Sequence, residues 1–226
     1  MLLEGLFAAG IRTSESMIAG QGAALHPEEA AAVAGAVANR RHEFSAGRAC
    51  ARNAMERLGL PALALPMGSD RAPVWPQGLV GTISHDRTHC AAAVALRSEG
   101  FLALGLDIEE AEPVEEGLAD DICTAGERDW LARQPAGHHG LLLKAIFSAK
   151  ECAYKCQYPL SGTLLDFQDL SLDLDMAGER FTAQFLKDAL PFGCGDRLAG
   201  RIRLRHGHIV SAMSIRDDGK DRAAPV

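Results

Sequence analysis

Three apolar runs follow one another in the first half of the chain: LVGTISH (79–85), HCAAAVAL (89–96) and FLALGLDIE (101–109), the last two joined by the short turn RSEG. Runs of this length, bounded by turn residues, predict strands, and their nearly continuous apolar character predicts a sheet covered on both faces. Residues 26–61 carry helical patterning instead. Pro27 lies near the start, Glu28 and Glu29 follow, and Gly59 with Pro61 closes the segment, so one long helix or two abutting ones are expected. LPMGSDRAPVWPQG (65–78) is a turn-rich connector. AGERDWLARQ (125–134) predicts a short helix and residues 140–159 a longer one, ended by Pro159. Between the strands and these helices lies EEAEPVEEGLADD (109–121), an acidic loop joining two halves. RFTAQFL (180–186), GRIRLRH (200–206) and HIVSAMSI (208–215) alternate well enough for antiparallel strands, the last two joined by a tight turn at Gly207. The final DDGKDRAAPV (217–226) reads as frayed.

Length and composition narrow this picture. A chain of 226 residues, 47% hydrophobic and 23% charged, can form one large domain or two small ones. No stretch approaches the roughly 18 to 20 apolar residues of a membrane span. The first residues hold Glu4 and no basic leader, which makes a poor signal peptide, so a soluble, cytoplasmic protein without membrane attachment is expected. Six cysteines show no CxxC pair. Cys152 and Cys156, one helical turn apart, could share a metal, although small buried thiols explain the spacing more simply. The net charge of −7 argues against a general nucleic-acid binder. Positive charge is nonetheless clustered: Lys144, Lys150 and Lys155 fall close together, as do Arg40, Arg41, Arg48 and Arg52. Arg41, Arg48 and Arg52 would share one helical face, as a solvated basic stripe or as part of a pocket for a small polyanion.

The candidate chemistry rests on two stretches. In GLDIEE (105–110), Asp107 and Glu109 lie two apart on a strand and point the same way, a repulsive arrangement that calls for a cation. In FSAKECAYK (147–155), Glu151 and Lys155 are four apart on one helical face, with Lys150 at its margin. Alone, that pair is most often a surface ion pair. Combined with Asp107 and Glu109, it would give an oxygen-only site suited to Mg²⁺, with lysines beside it for phosphates. Spacing alone does not show that strand and helix meet. Ser84, His85 and Asp86 in GTISHD are consecutive and cannot form a hydrolytic triad. A loop ending in histidine is a better anion contact than a nucleophile. The other histidines, His208 among them, receive no role.

GRACARNAMERLG, RAPVWPQGLVGTISH, GLDIEE and FSAKECAYK occur in the order and spacing of the 4′-phosphopantetheinyl transferases, and the chain most resembles the compact single-chain type serving siderophore, polyketide and peptide synthetases. The similarity runs from about Arg40 to Pro159, and the paired motifs G-x-D-x-E and F-S-x-K-E-x-x-x-K are specific together. The resemblance implies an α/β (α+β) fold with a pseudo-twofold arrangement of two similar halves. Each would be a small antiparallel-rich sheet packed by a long helix, with the active site in the cleft between residues 1–108 and 109–226. It implies a monomeric enzyme that moves the 4′-phosphopantetheine arm of coenzyme A to a serine of an apo acyl or peptidyl carrier protein, releasing 3′,5′-adenosine bisphosphate. The carriers would belong to fatty acid, polyketide or nonribosomal peptide synthetases.

Carried onto matching positions, the resemblance makes Asp107, Glu109 and Glu151 ligands of Mg²⁺, with Mn²⁺ as the alternative ion. Glu151 would also be the general base, directly or through a water. Lys155 and Lys150 would neutralise the phosphates, and Ser84 and His85 would contact coenzyme A, His85 toward its 3′-phosphate, helped by Arg40 and Arg48. There are departures. Thr82 stands where the family often has serine. Met67 and Arg71 occupy a region where relatives carry lysine, and Arg71 is expected to take over as a phosphate or adenine contact. The chain is itself acidic, so an acidic carrier helix would need a local basic or apolar docking patch. The competing readings are a Mg²⁺-dependent phosphohydrolase acting on coenzyme A or a nucleotide, and a non-catalytic coenzyme A-binding partner.

Overall fold

The computed structural model describes residues 1–18 and 22–217. The expectation of a frayed C-terminus therefore lies, beyond Asp217, outside the described residues. Two antiparallel sheets form the frame. The first, in the order β1-β3-β2, consists of β1 (Arg12–Met17), β2 (Leu79–His85) and β3 (His89–Leu96). The second, β4-β8-β7-β6-β5, consists of β4 (Phe101–Glu110), β5 (Leu170–Asp175), β6 (Arg180–Phe185), β7 (Arg197–Arg205) and β8 (His208–Arg216). The helices are α1 (Pro27–Ala30), α2 (Ala38–Arg57), α3 (Ala119–Ile122), α4 (Ala125–Ala132) and α5 (His139–Ser161).

The three apolar runs become β2, β3 and β4, and burial explains their composition. β3 is central in its sheet, with α2 on one face and the second sheet's residues on the other, so Ala91 to Ala95 are all buried. Two strands escape the pattern. β1 (RTSESM) is mostly polar, and Glu15 within it accepts hydrogen bonds from the backbone N–H groups of Leu2 and Leu3. β5 (LSLDLD) alternates but sits at a sheet edge. The patterned segment 26–61 divides at Ala34–Val37, so α1 and α2 are separate pieces. α5 continues past Pro159 rather than ending there. Gly162, at φ 62°, supplies the left-handed turn that stops it, and its N–H reaches the Tyr158 carbonyl.

β4 pairs with β8 from Phe101↔Arg216 to Glu110↔His208, with one register shift between Phe101 and Ala103, so β4 belongs to the second sheet. A division between residues 108 and 109 falls inside this strand, whereas the sheets separate at the Arg97–Gly100 turn. Each sheet carries one long helix, α2 on the first and α5 on the second. α5 lies close enough to β4 that a Cβ on Gly105 would meet the Cys152 carbonyl oxygen at 2.2 Å. Glycine at this position lets the helix backbone rest on the strand. Leu2, Leu3 and Leu6 pack with Ala91 of the first sheet and with Leu106, Ile108 and Val210 of the second. One apolar cluster therefore spans both sheets. Among the described residues, no helix is long and apolar enough to cross a membrane.

Candidate active site

β4 and α5 deliver the acidic residues, and the glycine contact fixes their spacing. Asp107 is 3% exposed. Its Oδ1 accepts from Lys155 Nζ at 2.6 Å and from Ser84 Oγ at 3.1 Å, while its buried Oδ2 has no hydrogen-bonding partner. Such an orphaned carboxylate oxygen is costly unless a further cation or donor meets it. Glu109, half-buried, accepts from Lys144 Nζ at 3.0 Å. Burial and then the neighbouring Asp107 push its carboxyl above the ordinary glutamate range, against the pull of Lys144 and Lys155. Burial also raises Glu151; Lys155 opposes the shift, and Asp107 with Glu109 adds to it. Burial disfavours the Lys155 ammonium, yet Asp107 and Glu151 outweigh that and hold it above the usual lysine value.

Asp107, Glu109, Glu151 and Lys155 thus share one electrostatic field, which answers whether strand and helix meet. Two of the three carboxylates are each held by a lysine, Asp107 by Lys155 and Glu109 by Lys144. The donor set is oxygen-only and one buried oxygen is unpaired, so these residues fit a hard divalent cation such as Mg²⁺.

The cleft opens where β2 and β4 end. About 390 Å³ in volume, it is lined by Glu43, His85, Asp86, Arg87, Glu109, Glu110, Glu112 and Lys144, and so joins His85 of the first sheet to Glu109 of the second. Arg40, 42% exposed, brings Nη1 to 3.3 Å from His85 Nε2. The guanidinium donates to His85 Nε2, and Glu43 Oε2 lies 3.5 Å from Arg40 and 3.9 Å from His85, so Arg40 supplies the fixed positive charge at this wall of the cleft. Arg71 lies exposed in the turn closed by its own N–H to Gly68 O, at φ 69°. Burial and then Asp70 of that turn, which stands near Tyr158 of α5, raise the tyrosine hydroxyl above its ordinary value.

Several expected site residues are engaged elsewhere. Lys150 is 1% exposed, and its ammonium donates to Glu127 Oε2 (2.7 Å), Ile122 O (2.8 Å) and Phe167 O (2.7 Å). With all three protons used, it has none for a phosphate. Its partner Glu127 also closes the capping box of α4 with Thr124 and accepts from Leu172 N. Ser84 is buried as a tie between sheets: its hydroxyl donates to Asp107 and accepts from Ile108 N and Lys155 Nζ. Arg48 is also buried, donating from Nε to Leu65 O at 2.7 Å with its guanidinium over Phe44, and burial lowers it to about 10. Arg52 grips Glu29, and only Arg41 of the expected stripe faces solvent. The five cysteines other than Cys194, Cys152 and Cys156 included, are buried thiols.

Lys144 is the partner that motif reading passed over. It precedes Glu151 by seven residues and Lys155 by eleven, which places all three on one face of α5. Glu110 pairs with Arg87 at the rim of the cleft.

Comparison with known proteins follows the same division of the chain. Residues 28–95 match the model of the 4′-phosphopantetheinyl transferase N-terminal domain, and residues 103–196 that of the 4′-phosphopantetheinyl transferase superfamily. The chain is similar to 4′-phosphopantetheinyl transferase Svp of Streptomyces mobaraensis, at 42% identity over 84% of this chain and 78% of that protein. It is also similar to 4′-phosphopantetheinyl transferase PptT of Mycobacterium tuberculosis, at 33% identity over 84% of this chain and 85% of that one. Enterobactin synthase component D of Escherichia coli is 36% identical over 58% of this chain and 62% of its own length.

Proposed function

Because this chain belongs to the 4′-phosphopantetheinyl transferases and moves phosphopantetheine from coenzyme A to carrier proteins, we propose that Asp107, Glu109 and Glu151 hold Mg²⁺ in the cleft between the two sheets. The observation that carries this reading is the buried, unpartnered Oδ2 of Asp107 beside two further carboxylates. When bound, the ion neutralises charge on the coenzyme A pyrophosphate and on the oxygen that leaves.

The chain's own residues do the remainder. Lys155, kept charged by Asp107, faces the phosphate oxygens as negative charge redistributes during transfer. Arg40 and His85 at the cleft wall hold the nucleotide end, His85 toward the 3′-phosphate, and Arg71, exposed in its own turn, is a further proposed phosphate or adenine contact. Glu151, on the face of α5 shared with Lys155, takes the proton of the carrier serine, directly or through a water. The serine oxygen then bonds to phosphorus as the bond to the departing 3′,5′-adenosine bisphosphate breaks. Positioning and charge neutralisation dominate such transfers, so the chain needs no nucleophile of its own. Siderophore, polyketide or peptide synthetase carriers are the proposed partners, a reading supported by the relative named as an enterobactin synthase component.

The test incubates the protein, coenzyme A, Mg²⁺ and an apo carrier, and weighs the carrier by mass spectrometry. Wild-type protein should add the phosphopantetheine mass, and Asp107→Ala should not. Near-normal transfer by Asp107→Ala would remove the metal assignment, and coenzyme A breakdown without carrier modification would point to hydrolysis instead.

A further inference from the structure

Beside the cleft, the β2–β3 turn and the start of β8 bring together Asp86, His89 and His208. One ligand atom from each lies within 4.8 Å of the other two. Asp86 and His208 have side chains only 5% and 10% exposed, and Asp86 Oδ2 and His208 Nε2 stand 3.2 Å apart. That is an ion-pair distance, yet the atoms are not aligned as a hydrogen bond, and neither has another partner. Both atoms are buried and lack a hydrogen bond, so their only mutual satisfaction is this unaligned contact, and a cation between them would serve both.

The surrounding bonds prepare both rings for a metal. His208 Nδ1 lies 2.9 Å from the His206 carbonyl, which only accepts, so Nδ1 donates there and Nε2 is the ring nitrogen turned to Asp86. His89 Nδ1 lies 2.8 Å from Thr88 Oγ1, whose own proton goes to Asp86 Oδ1 at 3.1 Å. His89 therefore donates from Nδ1, which leaves Nε2 as the ring nitrogen available to a ligand. Asp86 Oδ1 is further occupied by the N–H groups of Thr88 and His89, both at 2.7 Å, leaving Oδ2 as the ligand oxygen. Histidine ligands in metal sites commonly donate their other ring N–H to an oxygen in this way. In tetrahedral zinc sites neighbouring ligand atoms stand about 3.3 Å apart, close to the 3.2 Å between Asp86 and His208, with His89 within 4.8 Å of both.

We propose that Asp86, His89 and His208 form a binding site for a borderline divalent transition ion, of which Zn²⁺ is the representative. Two imidazoles and one carboxylate select such an ion over Mg²⁺, which prefers oxygen ligands. The site is separate from Asp107, Glu109 and Glu151. It clasps the turn that follows His85 to the strand paired with β4, joining the two sheets at the cleft.

The test uses full-length protein carrying Cys194→Ser, which removes the exposed thiol, stripped with chelator and held in millimolar Mg²⁺. Zn²⁺ is titrated by calorimetry, Co²⁺ by visible absorption, and melting is followed with and without Zn²⁺. One Zn²⁺ per chain should bind, Co²⁺ should give the intense bands of a four-coordinate complex, and Zn²⁺ should raise the melting temperature. His89→Gln and His208→Gln should each weaken binding on the order of 100-fold and cancel the melting shift, while Asp107→Asn should still bind Zn²⁺. Absence of stoichiometric binding in the parent, or unchanged binding in His89→Gln, would overturn the site. His89 is only partly buried, so this variant remains decisive if His208→Gln fails to fold.

Discussion

Two lysines five residues apart show how much a single side chain's surroundings decide. On α5, Lys155 is about 40° around the helix from Glu151, whereas Lys150 is about 100° away, and the fold turns that angle into different roles. Lys150→Met should leave the buried Glu127 without its counter-charge, costing about 3–5 kcal/mol, read as a lower urea midpoint with turnover per folded molecule retained. Lys155→Met should instead lower transfer by about 100-fold or more, read in single-turnover kinetics with carrier in excess. Glu29 makes the same point about legibility. In the sequence it is an ordinary acid in a first helical turn. In the fold it is fully buried and accepts from Arg52 and from the backbone N–H of Leu65, partners 23 and 36 residues away. Burial alone would raise its carboxyl, but the N–H groups of Leu65 and His26, together with Arg52, outweigh it and hold it below the usual value. The unfolded chain therefore binds this proton more readily than the native one. The stability Glu29 contributes is present above the unfolded glutamate value near 4.5 and is lost as pH falls through the lower, native value. Glu29→Gln should flatten that acid limb in urea titrations run between pH 3 and 7, while lowering stability at neutral pH.

At the scale of elements, patterning found what burial had written into it. β2, β3 and β4 were legible because both of their faces are covered, and the helical faces of α2 and α5 because apolar positions recur with the right period. β1 left little trace, since its register is held by backbone pairing to β3 and by Glu15 rather than by apolar side chains. Pro159 misleads for a related reason: a proline in the last turn removes one N–H without preventing the turn, and the stop lies at Gly162. The contact between β4 and α5 was hidden in plain view, because the glycine of GLDIEE carries no pattern. Gly105→Ala would press a methyl group into the Cys152 carbonyl and move α5 off the strand. About 1–3 kcal/mol of destabilisation is expected, together with a fall in kcat, since Glu151 and Lys155 would shift relative to Asp107. Calorimetry and steady-state transfer assays on one preparation check both.

For the whole molecule, two family domains do not mean two folding units. Leu2, Leu3 and Leu6 seal the space between the sheets, and Ser84 crosses from β2 to β4. Removing residues 1–8 should lower the melting temperature by several degrees and destabilise both sheets together, visible as one cooperative transition that moves as a whole in differential scanning calorimetry. Two separated transitions would contradict the shared core. Convergence of this kind was the least legible property of the chain. The motifs name the acids and lysines, but nothing local tells that Lys144 takes Glu109, that Lys150 turns away, or that the β2–β3 turn meets His208.

The pairing of β4 with β8 also has a meaning in time. Asp107 and Glu109 lie opposite Ser211 and Ile209, about a hundred residues further along the chain. At roughly 5–20 residues per second, a ribosome needs roughly 5 to 20 s to cover that distance. Throughout that interval the strand bearing these carboxylates is without its β8 neighbour, its edge open to any other strand. A nascent chain must therefore be chaperoned, or stay solvated through its own acidic residues, until the strand that completes the sheet emerges. Only then can the cleft close around its charges, so transfer activity begins late in synthesis rather than growing with length.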